Sequence, residues 1–174
     1  MSRSGYTDVE DPLALGRWRQ AVNRALHGKR GQALLRELAD ALDEMDDKRL
    51  YPGSFATADG EFCALGVLAA KRGTQVDDLG DADNCDAVQV GQRFGIARAM
   101  AAEIMYLNDE YFVDAWKQIE VEICGPMPPN HLCRDWRQRQ HRRTVYVPNE
   151  NHASERWEFM RRWVTENMKT QGAE

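Results

Sequence analysis

The sequence predicts an α+β fold that is mainly α-helical: a compact helical domain with five or six helices and a small antiparallel β-hairpin. Three observations predict it. Apolar residues recur at helical spacing through most of the chain, and two short stretches, around Ile119–Ile123 and Thr144–Val147, switch to strand-like patterning. The 174 residues, 43% hydrophobic and 29% charged, are enough for one ordinary globular core. Residues 1–10 read as a flexible N-terminus and 11–170 as a single globular domain.

The first helix covers Leu13 to Leu26, on Leu15, Trp18, Val22, Ala25 and Leu26, with Pro12 suited to its first turn. Gly28 is expected to stop it as a C-terminal glycine. A second helix runs from Gly31 to Met45 on the stripe Leu34, Leu35, Leu38, Leu42 and Met45, and the short link makes an antiparallel helical hairpin of the two. Tyr51-Pro52-Gly53 and Ala58-Asp59-Gly60 are turn signals, the latter of hairpin type. Phe62 to Arg72 returns to helix despite Gly66, which costs about 1 kcal/mol against alanine unless close packing requires it. An acidic loop follows from Gln75 to Asp86. Helices are then expected at Asp86–Phe94 and Ala97–Asn108, separated by Gly95. Ile119, Val121 and Ile123 alternate with Glu120 and Glu122 as a half-buried strand, and Thr144–Val147 supplies its partner. The last helix, Ala153–Met168, buries Trp157, Met160, Trp163, Val164 and Met168 and leaves Glu155, Arg156, Glu158, Arg161 and Arg162 solvated.

Charge and cysteine usage narrow the functional classes. A net charge of −5, from 23 basic and 28 acidic residues, argues against a general nucleic-acid coat but leaves local basic patches open. No apolar run approaches the 18 or so residues of a membrane span, and no apolar segment follows the first residues as a secretory signal would. The expected setting is cytoplasmic, with no membrane partner and with Cys63, Cys85, Cys124 and Cys133 reduced.

Several constellations invite chemistry. Cys63 falls at the start of a helix, where a thiol pKa can drop and a nucleophile form. Asn108, Asp109 and Glu110, with Glu61 or Asp59, form a candidate carboxylate group for acid–base or metal work. Their plainer readings are a small buried thiol at a tight helix contact and a polar helix end that caps the next turn. The aspartates at 77, 78, 81, 83 and 86 miss the calcium-loop pattern, since the sixth position from Asp81 is Asp86 and the twelfth is Gln92. Cys124, Cys133, His131 and His141 have spacings unlike a zinc knuckle. No metal and no cofactor are expected. Two basic segments remain. Arg134, Arg137, Arg139, Arg142 and Arg143 surround Trp136 and His141, while Arg17, Arg19, Arg24, Lys29 and Arg30 lie along and after the first helix. Arginine interleaved with an aromatic suits phosphate and base contact, and equally a protein–protein hot spot or a solvated face.

Three stretches together, Gly28-Lys29-Arg30-Gly31-Gln32-Ala33-Leu34-Leu35, Asp59-Gly60-Glu61-Phe62-Cys63-Ala64-Leu65-Gly66 and Asn108-Asp109-Glu110, carry a resemblance. With Glu155-Arg156-Trp157 and Met160-Arg161-Arg162-Trp163-Val164 they resemble a group of tailed-phage and prophage proteins of unknown function. The similarity runs from about Trp18 to Val164, and Ile119–Val147 matches it least. The resemblance implies a setting, a bacterial cytoplasm during infection or lysogeny, and no activity.

The expected function is therefore non-enzymatic: an accessory protein that binds a host or phage macromolecule, protein first, through Arg134, Trp136, Arg137, Arg139, Arg142 and Arg143, and that blunts a host defence. Two alternatives stand beside it, a cysteine-dependent hydrolase or transferase built on Cys63 with Asn108, Asp109 or Glu110, and a nucleic-acid binder.

Overall fold

The computed structural model describes residues 12–80, 85–111, 115–122 and 142–169. Among them are six α-helices and one two-stranded antiparallel sheet, the mainly helical α+β fold that the patterning predicts. The chain forms two compact units, residues 1–113 with 153–174, and residues 114–152.

In the first unit, α1 (Pro12–His27) and α2 (Lys29–Glu44) are joined by Gly28 alone. Gly28 does not terminate α1 in a left-handed turn. Its φ of −73° and ψ of 158° are extended, and it stands as the N-cap of α2, which starts two residues earlier than the apolar stripe indicates. The glycine that matters for packing is Gly31, where a Cβ would run into the Ala25 and Leu26 carbonyls. Leu34, Leu35, Leu38 and Leu42 are all buried, as the stripe predicts.

After α2 the chain turns back on itself. Ala56 and Phe62 form an antiparallel bridge around a turn in which Gly60 takes φ of 80°, the left-handed geometry that glycine tolerates. α3 (Ala64–Arg72) follows, ended by Gly73 in the left-handed region. A single 3-10 turn at Asp77–Leu79 and α4 (Ala87–Phe94), capped at its start by the Asp86 carboxylate and at its end by Gly95, lead to α5 (Arg98–Tyr106). α5 packs on α1, α3 and α4, so Met100 and Ile104 lie at the centre of the core. Its end does not stop cleanly but widens into a π-helical turn at Leu107–Tyr111. α6 (His152–Asn167) adds Met160 and Val164 to the same core, and the indole of Trp157 donates to the Leu42 carbonyl at 3.1 Å. Gln32 ties the far end of α6 to α2, donating to the Leu26 and Asn167 carbonyls and accepting from the Lys169 amide at 2.7 Å.

One charged residue of α6 departs from the expected pattern. Arg161 lies at the surface, paired through two 2.7 Å hydrogen bonds with Asp43. Arg156, which the helical pattern assigns to the solvated face, is only 2% exposed. Its guanidinium is held there by the carbonyls of Asn108, in the π-turn, and of Leu50.

The second unit contains β1 (Trp116–Glu122) and β2 (Arg142–Pro148), paired antiparallel with Trp116 opposite Pro148 and Glu122 opposite Arg142. Alternation places Ile119, Val121, Val145 and Val147 on one face and Trp116 and Tyr146 on the other. Ile123 lies outside the described residues, as do residues 1–10, Asp81 and Asp83 of the acidic loop, and Cys124, His131, Cys133 and His141. No helix among the described residues is long and apolar enough to cross a membrane.

Candidate functional site

Two of the sequence-derived constellations can be followed in the structure. The first, Cys63 with Asn108 and Asp109, does come together. Cys63 is the N-cap of α3 rather than a member of its first turn, and its Sγ accepts from the Gly66 amide at 3.4 Å. Asn108, in the π-turn, is 1% exposed and spends its whole amide on neighbours. Its Oδ1 accepts from the Ala64 amide at 3.2 Å, and its Nδ2 donates to the Tyr51 carbonyl at 3.0 Å and to Asp109 Oδ1 at 2.7 Å. The same Asp109 oxygen accepts from the Gly53 amide at 3.1 Å. Arg156 closes the group from α6, its Nε donating to the Asn108 carbonyl at 2.8 Å and its Nη1 to that of Leu50 at 3.3 Å.

This is a polar knot that fastens four segments (residues 50–53, the start of α3, the π-turn and α6), and its electrostatics oppose nucleophilic use of the thiol. Burial pushes the Cys63 thiol up to about 12, and the nearby Asp109 carboxylate adds to the rise. A cysteine nucleophile needs the reverse, a cationic neighbour and partial exposure. Because folding holds the proton on Cys63, its contribution to stability is complete below the ordinary value of 9.0 and is lost as pH climbs towards about 12. Iodoacetamide is accordingly expected to leave Cys63 unmodified at neutral pH and to label it once urea unfolds the chain; labelling of the native protein at the free-thiol rate would restore the nucleophile. Glu110 lies beside Tyr106, whose phenol is raised first by burial and then by that carboxylate. Asp59 and Glu61 line a cleft with α2 and α3. Among the described residues no three His, Cys, Asp or Glu side chains are grouped to hold a metal ion.

The second constellation is the Arg/Trp segment. Arg134, Trp136, Arg137 and Arg139 lie outside the described residues. Arg142 and Arg143 open β2, opposite Glu122 and Val121. What the described ribbon adds is aromatic: Trp116 is 59% exposed and Tyr146 66%, both on one face. Sequence reasoning missed this pair, although the odd–even pattern that defines the strands also places Trp116 and Tyr146 together once the register is known. The other basic group, Arg17, Arg19, Arg24, Lys29 and Arg30, is exposed along α1 and the first turn of α2.

No family model, curated protein or solved structure matches this chain. Residues of three stretches noted in the sequence (59–66, 108–110 and 155–157) are hydrogen-bonded to one another in the knot. Asn108 reaches the amide of Ala64, inside the Asp59–Gly66 stretch, and Arg156 reaches the carbonyl of Asn108.

Proposed function

We propose that this protein is a non-enzymatic, phage-encoded accessory protein that grips a host or phage protein through its β-ribbon and the Arg/Trp-rich segment between the strands. Blunting a host defence is the role that fits such a protein in an infected cell. The observation that carries the reading is the pair Trp116 and Tyr146, exposed together on one face of a two-stranded ribbon. Large aromatic side chains dominate binding energy at protein interfaces. Glu120 and Glu122 on β1 weigh for a protein partner over a nucleic acid, because carboxylates repel a phosphate backbone. The buried, protonated thiol of Cys63 weighs against the hydrolase alternative.

The test is affinity purification from infected cells, identification of the partner by mass spectrometry, and titration of that partner with variants. Replacing Trp116 and Tyr146 by alanine should weaken binding by roughly a thousandfold, the scale of two aromatic hot-spot residues, while the melting temperature stays close to wild type. Binding that is unchanged in the double variant removes the ribbon as the contact surface. Affinity that falls steeply with salt and follows added nucleic acid would favour the nucleic-acid reading instead.

A further inference from the structure

The helical unit carries a second surface, independent of the ribbon. The C-terminal halves of α2 and α3 and the 57–62 turn enclose an open cleft of about 870 Å³. Its floor is apolar: Ala41 and Val67 are buried, and Met45 and Phe62 are half-buried. Its walls are acidic, with five carboxylates (residues 44, 46, 47, 59 and 61) against Arg49 and Lys71. Glu44 pairs with Lys71 at 2.8 Å and Asp47 lies 3.9 Å from Arg49, which accounts for both cations. Asp46, Asp59 and Glu61 are left without a cationic partner among the described residues. The chain direction reinforces them. Both helices end at this cleft, and a helix C-terminus carries partial negative charge.

We infer that this cleft docks a short basic, amphipathic segment of a partner protein, whose lysine or arginine side chains meet Asp46, Asp59 and Glu61 while an apolar side chain between them rests on Met45 and Phe62. Charge complementarity selects the cation, and the apolar floor selects a peptide over a free ion. A small polar ammonium would leave that floor wet, whereas a lysine or arginine stem beside a leucine covers it. The open shape suits a chain that passes through rather than a small molecule that must be enclosed, since small-molecule sites bury most of their ligand.

A fluorescein-labelled peptide of alternating lysine and leucine provides the probe, read by polarisation against the full-length protein. The expected result is saturable binding that weakens at least tenfold, about the loss of three weak ion pairs, in the variant Asp46→Asn, Asp59→Asn, Glu61→Gln. These three residues are surface or half-buried, so the melting temperature should not move. Ala70→Trp, an exposed position on α3 in the cleft wall, should block the peptide without removing a charge. Four results would overturn the inference: no binding to the wild type, equal binding to the triple variant, a lysine–serine peptide that binds as tightly as the lysine–leucine one, or spermidine that displaces the peptide at equal concentration. The Trp116 and Tyr146 double variant should bind the probe like wild type, which separates this cleft from the ribbon.

Discussion

Gly66→Ala should be among the most damaging single substitutions in the helical unit, destabilising it by about 3–5 kcal/mol or preventing folding, the upper range for overpacking against a structure that cannot yield. A Cβ built on Gly66 lands on the backbone carbonyl of Phe55, overlapping both its oxygen and its carbon. A flexible side chain could rotate away, but this is main chain. Phe55 is itself buried and stacks on Phe94 with ring centroids 6.5 Å apart, so moving it disturbs a second contact. Propensity alone gives the opposite sign, since alanine is favoured over glycine inside a helix by about 1 kcal/mol. Gly16 is the control. It lies in α1 with nothing within 4 Å of an added Cβ, so Gly16→Ala should be neutral or stabilise by up to about 1 kcal/mol. Urea unfolding of both variants decides the matter, and a Gly66→Ala loss below about 1 kcal/mol would mean that α3 can slide away from the 50s segment.

The helices were legible because each depends on a local, periodic signal. Leu34, Leu35, Leu38 and Leu42 recur on one side of α2, and glycines after Arg72 and Phe94 mark stops that the chain obeys. The strands were legible for the same reason, with period two in place of 3.6. What escaped the pattern is long-range. A helical wheel assigns Arg156 to water because it sees only its neighbours on α6, whereas the partners that bury it are 48 and 106 residues away. The π-turn at Leu107–Tyr111 is equally silent, since one extra residue in a turn leaves no periodic trace. Asn108 and Asp109 do meet the start of α3 at Cys63 and Ala64, yet spacing alone does not tell a catalytic site from a fastening. The difference lies in burial and in the sign of the neighbouring charge, which only the fold supplies.

Arg156 is the residue whose loss tests that fastening. Arg156→Met keeps most of the length and apolar stem of the side chain but deletes the guanidinium, and should cost about 3–5 kcal/mol, the range for breaking one side of a buried charged group. Two carbonyls, of Leu50 and Asn108, would lose their donor away from water, and the Asp109 carboxylate would lose the favourable field of the guanidinium. Burial lowers the Arg156 pKa from its usual value, and Asp109 opposes that shift. Lysine should rescue only in part, because one ammonium on a flexible stem cannot match a planar fork that serves two carbonyls. The discriminating measurement is a double-mutant cycle in urea. If the variant suffers from a carboxylate left uncompensated, Asp109→Asn should recover stability in the Arg156→Met background while costing stability in the wild type, where it weakens the bonds to Gly53 and Asn108. Additive losses would mean that the two residues stabilise the π-turn separately. A neutral or stabilising Arg156→Met would show that packing alone holds α6 against the turn, and that the polar knot serves the geometry of the chain rather than its stability.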